Sequence, residues 1–238
     1  MIKAPANVTL PEGASLRRVG QVLLDAWEAG SHQWRDTPLQ LREGNPASPP
    51  APAPRDALDL FRVLEEHRIE YLLVGGMAML TYVQGRNTRD VDLLLSVEAM
   101  RQIPKLRIQD QNDFFARGQF QSVQVDLLLT TNPLFKTVQE RFATTHRFAE
   151  LRVPAATVEG LVLLKLYALP SLYRQFDWDR IYIYESDVKR LLAYYQPDIE
   201  PLFSILKDHI SSGEMRELRN LVTEEQERWR HRDEPPAA

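Results

Sequence analysis

Apolar residues recur at helical spacing between Asp56 and His67, where Leu58, Leu60, Phe61, Val63 and Leu64 share one stripe. Tyr71 to Val74 is a short apolar run that ends at Gly75-Gly76, the pattern of a buried strand. Met77 to Tyr82 predicts a helix. Val91 to Leu95 is a second apolar run, preceded by the turn-rich Gly85-Arg86-Asn87. Phe114 to Phe120 and Ser122 to Leu129 predict two paired strands, a hairpin across Gly118. A helix over 134–142 and a strand near Phe148 to Val153 follow. From Pro154 the pattern changes: Val158 to Leu169, Asp187 to Tyr195, Pro201 to Ile210 and Glu214 to Arg230 all predict helices. The chain is thus expected to be α/β (α+β), a mixed sheet flanked by helices, with a helical C-terminal half. No internal repeat is visible.

Ahead of this body, Leu16, Val19, Val22, Leu23, Ala26 and Trp27 predict a helix over Ser15 to Ala29, with Gly30 as its stop. Asn45 to Pro54 then carries five prolines among Ala and Ser, an extended run that forms neither helix nor sheet. It reads as a spacer, with an SH3-like ligand as its alternative. The expected organisation is a helical arm over 1–44, a Pro-rich linker over 45–55, an α/β core over 56–153 and a helical domain over 154–238. Whether the arm docks on the body or on a partner stays open. The tail Asp233-Glu234-Pro235-Pro236 is expected to fray.

Composition narrows the chemistry. The 238 residues include no cysteine, which excludes disulfides, zinc–thiolate sites, iron–sulfur clusters and a thiol nucleophile. With 29 Lys+Arg against 33 Asp+Glu the formal net charge is −4, so a globally basic nucleic-acid coat is excluded. No apolar run approaches the roughly 18 residues a membrane span requires. Met1 to Pro5 lacks the apolar stretch of a signal peptide. A cytoplasmic protein with no membrane partner is the expectation.

The informative stretch is Tyr71 to Ser96. On a strand, residues two apart point to the same face, so Asp90 and Asp92 stand side by side, with Val91 and Leu93 opposite. Two carboxylates that close raise each other's pKa unless a cation sits between them. Their hard oxygens suit Mg²⁺, which takes one or two carboxylates plus substrate phosphates. Asp126 lies within the apolar run Val125-Asp126-Leu127-Leu128-Leu129, where an unpaired carboxylate is costly. If the two strands are neighbours, three carboxylates converge, an arrangement able to hold two cations about 3.5–4 Å apart. A strand ending in Gly75-Gly76 and entering a helix also lets backbone N–H groups approach phosphate oxygens. Each feature has a plainer reading: a capped turn for the acid doublet, a buried Arg partner for Asp126, a structural turn for the glycines.

Val74-Gly75-Gly76 followed by Arg86-x-Thr88-x-Asp90-x-Asp92 resembles the signature of the polymerase-β-type nucleotidyltransferase superfamily, closest to its AbiEii-like and related toxin–antitoxin members. The resemblance spans roughly residues 56 to 195. It implies that Gly75 and Gly76 cradle the NTP phosphates and that Asp90, Asp92 and Asp126 bind Mg²⁺ and form the catalytic set. Leu163-Leu164-Lys165-Leu166-Tyr167-Ala168 matches a further helical pattern of the family, so Lys165 would reach the triphosphate. Arg86 and Thr88 fall with the nucleotide, against the plainer readings of a loop charge and a satisfied turn. The implied activity is transfer of NMP from an NTP to a hydroxyl of a tRNA 3′ end or a protein, in a toxin–antitoxin or phage-defence setting with a cognate toxin or antitoxin partner.

Two departures stand out. Gln124 occupies a place that is often basic in the family, and Tyr184 stands where the first of two late acids would be, with Asp187 as the second. They motivate an alternative, a catalytically silent nucleotidyltransferase-like binding module that acts as an antitoxin or regulatory subunit. A hydrolase ranks third, because no Gly-x-Ser-x-Gly elbow is present. His67, His146 and His209 have no metal-ligand spacing. Phe176-Asp177-Trp178-Asp179-Arg180 suggests core packing or a helix cap, with base stacking as its alternative. The C-terminal arginines alternate with glutamates, which predicts a solvated helix face, with RNA contact as the alternative.

Overall fold

In the computed structural model, residues 54–83, 88, 90–148 and 150–230 are described. The expected arm, most of the linker, Arg86, Arg89 and the C-terminal tail lie outside these residues.

The amphipathic run before the first strand forms α1 (Pro54–Glu66). β1 (Leu72–Val74) leads straight into the short α2 (Gly75–Met79), followed by β2 (Asp90–Leu95). α3 (Val97–Gln102) is capped by Ser96, whose side chain accepts from the Ala99 N–H. β3 (Arg107–Gln111), β4 (Phe115–Phe120) and β5 (Val123–Leu129) form a meander. α4 (Pro133–Arg141) combines an Asn132 cap with proline in the first turn. β6 (Ala143–Phe148) and β7 (Leu151–Ala156) complete the sheet. Four helices follow: α5 (Val158–Gln175), α6 (Trp178–Tyr195), α7 (Glu200–Leu206) and α8 (Ser212–Arg230).

The seven strands are ordered β3-β4-β5-β2-β1-β7-β6. β2–β5 and β1–β7 are parallel; the other neighbours are antiparallel. The mixed sheet and the helical C-terminal half agree with the expected fold class. Val91, Leu93, Leu95, Val125, Leu127 and Leu129 bury one face of the central strands, against which α4 packs. Among the described residues, most buried side chains from sheet and helices join one apolar cluster.

Several elements depart from the pattern. The β4–β5 turn falls at Gln121-Ser122, where Gln121 has φ 52°, and not at Gly118. Gly118 lies inside β4 because β3 passes close by: a Cβ there would sit 2.9 Å from the Arg107 carbonyl oxygen. Asp56 of α1 ties the turn down by accepting from the Ser122 N–H and hydroxyl. The single strand expected near 148–153 is a hairpin, β6–β7, with Phe148 opposite Leu151. α5 continues past Pro170, although that residue cannot donate to the Leu166 carbonyl. β3 and α3 carry no readable signal: every residue of β3 is exposed, as an edge strand permits. Phe176 and Trp178 are not core residues; they are 71% and 55% exposed. Asp177 between them caps α6 by accepting from the Arg180 N–H.

Candidate active site

The site is built on β2 and β5. In their parallel pairing Asp92 lies opposite Asp126, and Asp90 opposite Gln124. Alternation places Asp90, Asp92, Gln124 and Asp126 on one face of the sheet, with the apolar residues between them on the other. The two strands are thus neighbours, the condition on which a convergence of the three acids depends.

The glycine bend sits directly over Asp92. Val74, the last residue of β1, pairs with Asp92 across β1–β2, so the next residue turns above that carboxylate. Gly75 has φ +61°, and a Cβ on it would lie 2.0 Å from Asp92 Oδ2. Only glycine fits there. The Gly76 N–H, which the sequence reading directs at a phosphate, donates to Asp92 Oδ2 at 3.1 Å.

Burial pushes the Asp92 carboxyl up to about 6, and the charges of Asp126 and Asp90 push the same way. The Gly76 hydrogen bond and the Lys165 ammonium oppose this rise. Such mutual repulsion on one sheet face is what a bound cation relieves. The donors are hard carboxylate oxygens of the kind Mg²⁺ takes, so the chemistry of Asp90 and Asp92 fits a divalent cation.

Asp126 is differently engaged. The Arg117 guanidinium on β4 grips both its oxygens, Nε to Oδ1 at 2.8 Å and the terminal nitrogen to Oδ2 at 3.1 Å. Gln124 Nε2 adds contacts of 3.2 and 3.3 Å. Among the described residues, no three His, Cys, Asp or Glu side chains stand grouped as a ready metal cage. Arg117 escaped the sequence reading; its signal was a lone cation in the alternating Phe115-Ala116-Arg117-Gly118-Gln119.

Lys165 of α5 is buried, with its Nζ 2.7 Å from Asp187 Oδ2 of α6 and 4.4 Å from the centre of the Tyr184 ring. The late acid and the tyrosine noted in the sequence thus converge on this lysine, one helical turn apart. Its charge still reaches Asp92. Thr88 donates from Oγ1 to the Asp90 carbonyl at 3.3 Å and so shapes the entry to β2. The acid-bearing face is separate from two grooves of about 320 and 440 Å³ between α6 and α8, which Glu185, Lys189 and Glu225 help line.

Among solved structures, an antigenic nucleotidyltransferase-like protein from Paracoccidioides brasiliensis superposes with a TM-score of 0.50 at 17% identity, over 71% of this chain and 86% of that one. The chain has a nucleotidyltransferase-like fold. ANT(2″)-Ia, solved in complex with adenylyl-2″-tobramycin, aligns with a TM-score of 0.45 at 11% identity, over 73% of this chain and 97% of that one. No family model and no curated protein matches the sequence. Within this nucleotidyltransferase-like fold, the carboxylates occupy two central strands and the glycine bend overhangs one of them.

Proposed function

We propose that the chain is an Mg²⁺-dependent nucleotidyltransferase that transfers NMP from an NTP to a hydroxyl group. The observation that carries this reading is the register of Asp92 with Asp126, beside Asp90 and beneath the Gly75-Gly76 bend. The acceptor oxygen forms a bond to the α-phosphorus while the bond to the β-phosphate oxygen breaks, releasing pyrophosphate. Asp90 and Asp92 would hold the cation, and Asp126 would complete the set and help take up the hydroxyl proton. When bound, Mg²⁺ would neutralise charge on the phosphates and lower the pKa of the attacking hydroxyl. Gly75 and Gly76, with no side chains to obstruct, would border the phosphates, and Lys165, whose charge is felt at Asp92, would supply positive potential. Thr88 and Arg86 belong to the segment entering β2 and are proposed to flank the nucleotide.

The sequence resemblance supports a tRNA 3′ end or a protein side chain as acceptor, in a toxin–antitoxin or phage-defence setting with a cognate partner. No described helix is long and apolar enough to cross a membrane. The deciding experiment incubates the full chain with each α-labelled NTP, Mg²⁺ and either total tRNA or cell lysate, beside Asp90→Ala. Label that moves to a macromolecule and disappears with the variant supports the enzyme.

One observation favours a second reading, the silent binding module: both Asp126 oxygens are held by Arg117. Absence of transfer to any acceptor, together with absence of NTP binding, would select that reading.

A further inference from the structure

We propose that Arg117 is a gate on the third carboxylate: its guanidinium occupies Asp126 in the resting protein and swings toward Asp110 when a divalent cation engages Asp126. This rests on the reading of Asp90, Asp92 and Asp126 as a cation site.

The strand register supplies both seats. Arg117 lies opposite Asp126 on β5 and, across its other edge, opposite Asp110 on β3. Directly opposed residues of antiparallel strands share a face, about 5 Å apart, within reach of one arginine side chain. The guanidinium is therefore flanked by two carboxylates. It forms a two-pronged bond with Asp126 and feels the charges of Asp110 and Asp90 as well.

The contact with Asp126 uses the oxygens that a cation would need. A guanidinium and a divalent cation compete for the same lone pairs, so the two occupants exclude each other. Arg117 is 46% exposed and Asp126 21%, so exchange between the two seats opens no buried cavity. In the resting state the guanidinium also offsets the charge of Asp126, from the β4 side of β5 and so on the edge of the acid face away from Asp90 and Asp92. The gate thus compensates one of the three acid charges until a cation replaces it. Asp110 matters because it offers the displaced cation a partner instead of leaving it to solvent alone.

The test measures Mn²⁺ binding to the full chain by the electron paramagnetic resonance signal of free Mn²⁺, without nucleotide. Arg117→Gln is expected to bind Mn²⁺ about fivefold more tightly than the parent, the size of one exposed ion pair. Arg117→Lys keeps the charge but loses the fork, and is expected to tighten binding as well; a purely long-range charge effect would leave it unchanged. Asp110→Asn removes the second seat and is expected to weaken binding. In an Asp126→Asn background, Arg117→Gln should have no further effect, whereas a general field effect would persist there. Equal or weaker binding by Arg117→Gln and Arg117→Lys overturns the gate and leaves the cation site intact. No Mn²⁺ binding by the parent or any variant overturns the cation site, and the gate with it. Melting curves establish that each variant is folded, and Asp110→Asn tests the gate without altering the acid site or Arg117.

Discussion

Asp92 and Asp126 lie opposite each other on neighbouring parallel strands, and the glycine bend closes over the first of them. Asp92 resists ionisation chiefly because its half-buried carboxyl is desolvated, and its strand partner adds the same charge. Its folded pKa of about 6 exceeds the ordinary carboxylate value of 3.8. The folded state therefore holds this proton more tightly than the unfolded chain does. The stabilisation is fully present below about pH 4 and is lost as pH rises through about 6. Asp92→Asn, measured without divalent cations, should be more stable than the parent at pH 8 by up to about 3 kcal/mol, and the gap should close toward pH 4. A gap that widens on acidification would refute the assignment.

Gly75 is the most restrictive position of the bend. An alanine there would adopt a left-handed backbone conformation that costs about 1–2 kcal/mol, and its methyl would collide with Asp92. Gly75→Ala should lower stability by at least about 2 kcal/mol by urea titration. It should also abolish label transfer, because Asp92 must move. A variant with parental stability and parental transfer would show that the bend does not constrain the carboxylate.

Lys165 and Asp187 form an ion pair whose side chains are 5% and 4% exposed. Removing one member strands a buried charge, at a cost of about 3–5 kcal/mol. Lys165→Met is expected to lose stability on that scale, and Lys165→Met with Asp187→Leu to regain most of it. Chemical denaturation separates the outcomes; a double variant as weak as the single one would mean that the helices depend on the pair itself.

The Tyr82 hydroxyl donates to the Ala156 carbonyl at 2.9 Å and lies 2.9 Å from His146 Nε2. Burial holds the His146 pKa below its ordinary 6.5. On acidification the unfolded chain takes up this proton first, so stability falls as pH drops below about 6.5. Asp92 contributes the opposite slope between about pH 4 and 6, so the comparison must be with His146→Gln, which cannot titrate. Between pH 7 and 5.5 the parent should lose more in melting temperature than this variant. Parallel curves would place His146 outside the balance.

Much of the central sheet was legible because β1, β2 and β5 are buried and short, and turn residues bound their apolar runs. Asp90, Asp92 and Asp126 stood out for the same reason: a carboxylate within such a run demands an explanation. β3 was invisible because an edge strand with no buried face carries no alternation. The sequence shows the β6–β7 hairpin as one strand because Ala143-Thr144-Thr145-His146 offers weak apolar contrast. The start of α6 was hidden by Phe176 and Trp178, whose aromatic character suggested burial although both are exposed at a helix junction.

What the chain order alone determined was local: periodicity set where most helices and strands form, and the glycine pair marked a bend no other residue could make. Partnership was decided in three dimensions. Whether Asp126 faces a cation, a phosphate or Arg117 depends on which strand lies beside β5, and β4 arrives there through a turn whose position the sequence did not mark. Likewise Lys165 meets Asp187 only because α5 and α6 pack together. A side chain's type is written in the sequence, but its charge partner is set by strand register and helix packing, which sum many weak contacts across the whole chain.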